Sequence, residues 1–232
     1  MRYFTKYFTL ALLVVSVFFL QSCLSSNDDY NPMVIGTTKI VDKDASTTYF
    51  MLDSGYKLTP NNLEGVDAQK LENNQRVFLQ LKDIDEDDTK KELKATIILL
   101  VKIETKDIEF TESAETAKQL LNASDPVNIG DAYIANGYLT LRYNYKGEYK
   151  NDKHTFSLYA IKDESSSKEG AYQLYLTHDE GGDKGQVMNT KIMSFPIESI
   201  KGELEQSDKA EIVFKTYYSG NMKYSIYFNK KK

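Results

Sequence analysis

The sequence predicts an all-β protein: an N-terminal five-stranded OB-like barrel followed by a C-terminal antiparallel β-sandwich. Three observations lead there. From Met33 onward, short runs rich in Val, Ile, Thr, Tyr and Phe alternate with clusters of Gly, Asn, Asp and Ser. Almost no stretch shows apolar residues at helical spacing. The strand-like runs also fall into two groups, parted by a polar stretch that ends at Pro126.

In the first group the expected strands are Val34 to Val41, Thr47 to Leu52, Tyr56 to Thr59, Arg76 to Asp83 and Leu93 to Thr105, with breaks at Asp53-Ser54-Gly55, Pro60-Asn61-Asn62 and the acidic Asp83 to Asp88. Five short strands in a flat sheet would leave edges open, so a closed or nearly closed barrel is the expected arrangement. The run Ala95 to Ile103 is continuously apolar in its middle and must be covered on both faces or curl around a core. Ala114 to Leu121 has the pattern of two helical turns, stopped by Asn122-Ala123-Ser124-Asp125-Pro126. The organisation read from this is a barrel domain over residues 33–118, a linker over 119–125 and a sandwich over 126–232.

The second group alternates more strictly and holds most of the 17 tyrosines. In Tyr138 to Tyr145, Leu139, Leu141, Tyr143 and Tyr145 share one face, while Thr140, Arg142 and Asn144 share the other. That is the signature of a half-buried strand. His154 to Ile161, Ala171 to His178, Lys191 to Ile197, Ala210 to Tyr217 and Lys223 to Phe228 repeat the habit, with Lys146-Gly147, Glu180-Gly181-Gly182, Lys201-Gly202 and Ser219-Gly220-Asn221 as turns.

Composition excludes several classes. Of 232 residues 41% are hydrophobic and 27% charged, too rich in core-formers for a disordered chain. The single Cys rules out a disulfide framework or a Cys-based zinc site. A formal charge of −5 argues against a partner made of phosphate backbone, so no nucleic-acid partner is expected.

The N-terminus reads as an address. Arg2 and Lys6 precede a 13-residue run, Phe8 to Leu20, which is apolar apart from Thr9 and Ser16, and Leu20-Gln21-Ser22-Cys23 follows. At 1.5 Å per residue such a run covers about 20 Å, short of the roughly 30 Å hydrocarbon core, so residues 1–22 read as a signal peptide. Leu-x-Ser-Cys resembles the lipobox of bacterial lipoproteins, which implies cleavage before Cys23 and acylation of its thiol and amine. Residues 23–32 form a polar tether, and Asp28-Asp29 resembles the export signal of surface lipoproteins of Bacteroidetes. The expected location is the outer membrane, lipid-anchored; Asp28-Asp29 read as an export signal puts the domains at the cell surface, and read as a solvated linker it leaves the periplasmic face equally open. Without Arg2 and Lys6 the basic count falls from 29 to 27 against 34 acidic residues, a charge of −7, so lipid rather than charge must supply the membrane contact.

With these residues in place, the chain resembles the NigD-like lipoproteins of Bacteroidetes. The matching stretches are Thr48 to Gly55, Asn74 to Phe78, Asp125 to Ile129, Gly137 to Leu141 with Tyr143 and Tyr145, and Lys153 to Leu158. The resemblance implies an OB domain joined to a β-sandwich, and an association with production of, or immunity to, the bacteriocin nigrescin. Tyr133 stands where the family is expected to favour Trp, and the acidic hairpin from Asp83 to Lys94 is longer.

Motifs for chemistry are lacking. No G-x-S-x-G elbow, phosphate loop, dinucleotide fingerprint or H-E-x-x-H occurs, so no enzyme activity and no cofactor are expected. Asp83 to Asp88 invites a calcium reading, but an EF-hand begun at Asp83 would need Gly at Asp88 and Glu at Lys94, and a solvated hairpin tip explains the run better. If His154 to Ile161 pairs with Ala171 to His178 so that Ile161 faces Ala171, His154 faces His178. With Asp152 or Asp179 nearby, the pair is a candidate for metal binding or joint titration; a bare histidine pair at a strand end is the plainer reading. Tyr49, Phe50, Tyr56 and Phe78 are candidate stacking aromatics on the barrel. The functional expectation is a non-catalytic envelope module that binds or protects. Its ligand would be a protein or a peptide captured at a sheet edge, or, alternatively, a cell-surface glycan stacked on exposed tyrosines. A hydrolase built from carboxylates brought together in a cleft is the third reading.

Overall fold

The run that is apolar throughout its middle becomes the spine of a closed barrel. In the computed structural model, which describes residues 31–40, 48–62, 71–148, 153–162 and 170–227, the barrel strands are β1 (Met33–Ile40), β2 (Thr48–Leu52), β3 (Lys57–Asn62), β4 (Arg76–Asp87) and β5 (Glu92–Lys102). They close in the order β1-β2-β3-β5-β4, antiparallel except for β3 with β5. Val77, Leu79 and Leu81 of β4 and Ala95 and Ile97 of β5 point inward with Phe50, Leu52 and Leu58. The register of β4 against β5 shifts between Gln80 and Leu81, so Ile98 has no partner, and beyond it Leu99 and Val101 face outward. Such bulges add the bend that closure demands. The expected break at Asp83 to Asp88 lies instead inside β4, which runs to Asp87. A second register shift with a left-handed Asp83 (φ 51°) bends the strand without ending it.

The sandwich is built from β6 (Glu104–Thr105), β7 (Glu109–Thr111), β8 (Asn128–Ala135), β9 (Tyr138–Gly147), β10 (Thr155–Ile161), β11 (Ala171–Asp179), β12 (Val187–Pro196), β13 (Lys209–Thr216) and β14 (Gly220–Tyr227). One sheet has the order β14-β13-β11-β10-β7 and the other β6-β12-β9-β8. The alternating residues meet between them: Leu139, Leu141 and Tyr143 from one sheet pack with Phe156, Leu158, Leu174, Leu176 and Ile212 from the other. Hairpins are antiparallel, but β7 with β10, β11 with β13 and β6 with β12 run parallel. Each of these pairs is joined by a long crossover, as parallel neighbours require.

The expected boundary does not survive as drawn. The barrel ends at Lys102, and from Glu104 the chain already pairs with sandwich strands. The helix α1 (Ala114–Ala123), capped by Ser113 accepting from the Thr116 N–H, lays Ala117 and Leu121 on Ile161, Tyr175 and Val213. Residues 119–125 are no linker. The Ser124 hydroxyl accepts the His178 N–H, and the Asp125 N–H donates to the His178 carbonyl. The apolar stripe of α1 needs a partner surface, and the outer face of the larger sheet supplies it. A short helix, α2 (Lys201–Gln206), closes the end of the sandwich with Leu204. All of these elements belong to one compact unit, Met33–Lys232.

Candidate functional site

The junction of barrel and sandwich is organised by one cation. Arg76, at the start of β4, is 0% exposed and donates five hydrogen bonds. Its Nη1 and Nη2 clasp Asp53 at 2.7 and 2.6 Å. Nη1 also reaches the Thr37 hydroxyl (3.0 Å), Nη2 that of Thr140 (2.9 Å) and Nε that of Ser194 (3.3 Å). Asp53 in turn accepts from the Tyr133 hydroxyl at 2.9 Å and from the Asn136 amide at 3.0 Å. Burial, followed by the Asp53 carboxylate, pushes the Tyr133 phenol well above its usual range, so it stays a donor. Asn136 and Gly137, both left-handed (φ 50° and 80°), form the tight turn between β8 and β9 that carries the Asn136 amide to Asp53. A guanidinium uses all five donors only in so fixed a frame, and a buried pair satisfied in this way sets orientation as well as stability. Thr37, Asp53 and Arg76 come from the barrel and Tyr133, Asn136, Thr140 and Ser194 from the sandwich, so the latch joins the two domains.

Beside the latch the two domains leave a cleft of about 460 Å³, lined by Phe78 and Val101 of the barrel, by Lys102, Ile103 and Glu104 at the crossover, and by Thr190, Lys191 and Ile192 of β12. Phe78 and Val101 are cross-strand partners, and the next row outward holds Gln80, Leu99 and Met33. The wall is apolar and partly open to solvent, with Val101 48% and Leu99 43% exposed. Burial raises the Glu104 carboxyl, but Lys191 at 2.6 Å and Lys106 at 3.5 Å outweigh it and hold the group below its usual range. Among the cleft-lining residues Glu104 is the one carboxylate, so the paired carboxylates of the hydrolase reading do not meet here.

The opposite wall is a sheet edge. β12 pairs with β9 along its whole length, Val187 with Gly147 through to Pro196 with Tyr138. On its other side β6 covers only Met193 and Ser194. Among the described residues no strand pairs with Val187 to Ile192 on that side. The Lys106 N–H donates to the Ser194 carbonyl, so the even-numbered residues of this unbroken strand direct their backbone groups away from β9. Met188, Thr190 and Ile192 therefore present N–H and C=O groups along an open lane beside the apolar wall.

The structure brings His154 and His178 together, in a different register from the expected one. Phe156 faces His178 and Ala160 faces Leu174, a slip of two residues, which keeps both imidazoles on one face. His154 Nδ1 lies 2.8 Å from His178 Nε2. The third member is neither Asp152, which lies outside the described residues, nor Asp179, but Asp183, with Oδ2 2.9 Å from His154 Nε2. Gly181 and Gly182, left-handed at φ 59° and 80°, turn the chain back to place it there. That double-glycine signal was visible in the sequence.

His178 Nδ1 faces the Pro126 carbonyl at 3.1 Å, so it carries a proton and donates, and His178 Nε2 accepts from His154 Nδ1. The His154 Nε2 contact completes the chain at Asp183. Asp183 also accepts the N–H groups of Glu148 and Gly185. Every ring nitrogen has a protein partner, and His154 and His178 are 5% and 3% exposed. Among the described residues no group of three or more potential ligands is placed to hold a metal. The arrangement fastens the β9–β10 region to the loop before β12. Burial lowers the His178 pKa, against the opposing bond to Pro126.

Other expected residues disperse. Cys23 lies outside the described residues. Phe50 is fully buried in the barrel, Tyr49 lies under Lys57, Tyr56 hydrogen-bonds Asp88 and Lys91, and only Phe78 reaches the cleft. No shared stacking face results. At the acidic tip the Asp87 carboxylate accepts from Thr89 and Lys90, which holds it below its usual range; this is a self-capped turn. Among the described residues Tyr218 (87% exposed) and Tyr227 (73%) are the most open rings, but they flank the two ends of β14, roughly 25 Å apart at 3.3 Å per residue, too far for one sugar platform.

Comparison with known proteins places this geometry. Residues 36–103 match the NigD-like N-terminal OB domain, and residues 107–228 match the NigD-like C-terminal beta sandwich domain. A protein of unknown function from Bacteroides vulgatus shares the fold at a TM-score of 0.67 and 15% identity, covering 87% of this chain and 92% of its own. A protein from Bacteroides fragilis carrying the description "putative lipoprotein" does so at 0.63 and 15%, covering 88% and 100%. A NigD-like immunity protein from Bacteroides caccae does so at 0.58 and 16%, covering 85% and 98%. No curated protein matches the chain.

Proposed function

We propose that this chain, which belongs to the NigD-like family, is a non-catalytic binding and protection module, held at the outer membrane by lipid on Cys23 and acting in immunity to a bacteriocin. The observation that carries the reading is the cleft at the domain junction, where an apolar wall faces an open sheet edge. A volume of about 460 Å³ is in the range of ligand sites, and the Arg76 latch keeps both walls in fixed relation. Support for the context comes from the lipobox-like Leu20 to Cys23 and from the similar folds of an immunity protein and a "putative lipoprotein". No described helix is long and apolar enough to cross a membrane.

A tethered module of this kind protects by occupying an incoming protein or peptide before it reaches its target. Met33, at the start of the barrel, lies one row along the wall from Phe78 and Val101. The test is deletion of the gene in its own host, followed by challenge with supernatants of bacteriocin-producing Bacteroides strains. Sensitisation that is reversed by the wild-type gene is the expected result. Unchanged sensitivity across producers removes the immunity reading.

A further inference from the structure

We infer that the open lane along Val187 to Ile192 is a strand-addition site whose occupant is an extended peptide with apolar residues at alternate positions. The inference rests on reading the cleft as the binding site and goes further by naming the ligand's conformation and pattern. Five observations lead to it.

The lane is long. Six residues at about 3.3 Å each give roughly 20 Å of edge. It is also regular, since the register of β12 on β9 holds without a bulge from Val187 to Pro196. The chain's own β6, arriving from the barrel, lies in the same lane and pairs only with Met193 and Ser194. A guest strand over Met188 to Ile192 would continue a sheet position that the protein itself has begun.

Two of the other edges, β7 and β8, are protected, and this one is not. Exposed edges are ordinarily blunted by bulges, prolines, charges or shortness. β7 has three residues. β8 is bulged at Gly130, and its Asp131 meets Tyr224 of β14. In Val187 to Ile192 there is no proline and no bulge, and the one charge, Lys191, is held by Glu104 at 2.6 Å.

The lane also faces a wall that would read side chains. Ser194 and Thr140 turn toward Arg76, so Ile192 and Thr190, on the same face of the strand, turn toward the barrel as well. Guest residues opposite them would direct alternate side chains at Phe78 and Val101. Backbone bonds to Met188, Thr190 and Ile192 would give affinity, and the apolar wall would give selection.

The test uses the purified, non-acylated chain from residue 24 onward and a set of fluorescein-labelled nine-residue peptides with Val, Ile or Phe at alternate positions and Ser, Thr or Lys between. Binding is read by anisotropy, and the site by amide hydrogen exchange. The expected result is saturable binding with slowed exchange at Met188, Thr190 and Ile192, while Asn189 and Lys191, bonded to β9, are protected with or without peptide. Methylating the backbone nitrogens of alternate peptide residues should abolish binding in one phase of the alternation and spare it in the other. Thr190→Pro removes an outward N–H at an edge position where proline is tolerated, and should weaken binding about tenfold with the thermal midpoint little changed.

Binding that leaves the three amides exchanging freely would overturn strand addition while leaving the cleft as a site. Failure of every peptide would overturn it too. Protection of the same amides that rises with protein concentration alone would overturn it in favour of a second copy of the chain. Loss of immunity in cells lies outside this assay, so the two readings fail separately.

Discussion

Replacing Arg76 by Met is the sharpest probe of how the two domains are joined. Methionine keeps much of the aliphatic volume but removes the charge and all five donors. Asp53, whose side chain is 11% exposed beside the fully buried Arg76, would keep only Tyr133 and Asn136 as side-chain donors and would sit as an uncompensated charge at the junction. Thr37, Thr140 and Ser194 would each lose the partner on which their hydroxyls converge. Breaking a buried pair in this way costs about 3–5 kcal/mol, against about 0–1 kcal/mol for an exposed one. A domain is stable by about 5–15 kcal/mol, so the variant should fold but with much of its margin gone. The chain has no Trp, so urea unfolding is best followed by circular dichroism and tyrosine emission. Adding Asp53→Asn to Arg76→Met should cost less than the two single changes summed, because the stranded charge is then gone. A loss below about 1 kcal/mol for Arg76→Met would refute the argument that this pair is desolvated and holds the domains together.

Acid should weaken the fold through His178. Its folded pKa lies below the unfolded 6.5, chiefly through burial, so the unfolded chain takes up the proton first. Stability from this group is therefore full above pH 6.5 and lost as pH falls below it, by up to about 1.4 kcal/mol per pH unit. Urea midpoints between pH 7.5 and 5 check this, and His178→Gln should flatten the slope. Gly147→Ala would place a methyl 2.6 Å from His154 Nε2 and 3.0 Å from Asp183 Oδ2, and should cost about 1–3 kcal/mol in the same assay. Metabolic labelling with a palmitate analogue should mark the wild type and not Cys23→Ala, and protease treatment of intact cells should then cleave the labelled protein if it is displayed outside.

Much of the barrel was legible because its signals are local. The apolar run ending at Ile103 and the breaks at Asp53-Ser54-Gly55 and Pro60-Asn61-Asn62 sit beside the residues they organise. The latch was not legible in the same way. Thr48 to Gly55, Asn74 to Phe78 and Gly137 to Leu141 were all singled out as stretches of the family, yet nothing local tells that Arg76 meets Asp53, Thr140 and Ser194 across 23, 64 and 118 residues of chain. The histidine pair was reached through strand parity, which a two-residue slip preserves. Gly181-Gly182 signals a turn, but nothing local tells that the turn carries Asp183 to His154. Asn122 to Pro126 has the composition of a linker, yet the Asp125 N–H bonds His178 and the Asn122 and Ser124 carbonyls accept the Lys215 ammonium. The open lane of β12 depends on which strand stops short beside it, a property of topology that no single segment encodes.

If the cleft is the working surface of an immunity module, damage to its walls must cost protection. The most direct measurement complements the deletion strain with wild type or with Val101→Asp combined with Ile192→Asp, at matched surface levels, and compares survival under bacteriocin challenge. Both side chains are partly exposed, so the variant should fold. Wild type should restore resistance and the cleft variant should not. Equal protection by both would contradict it.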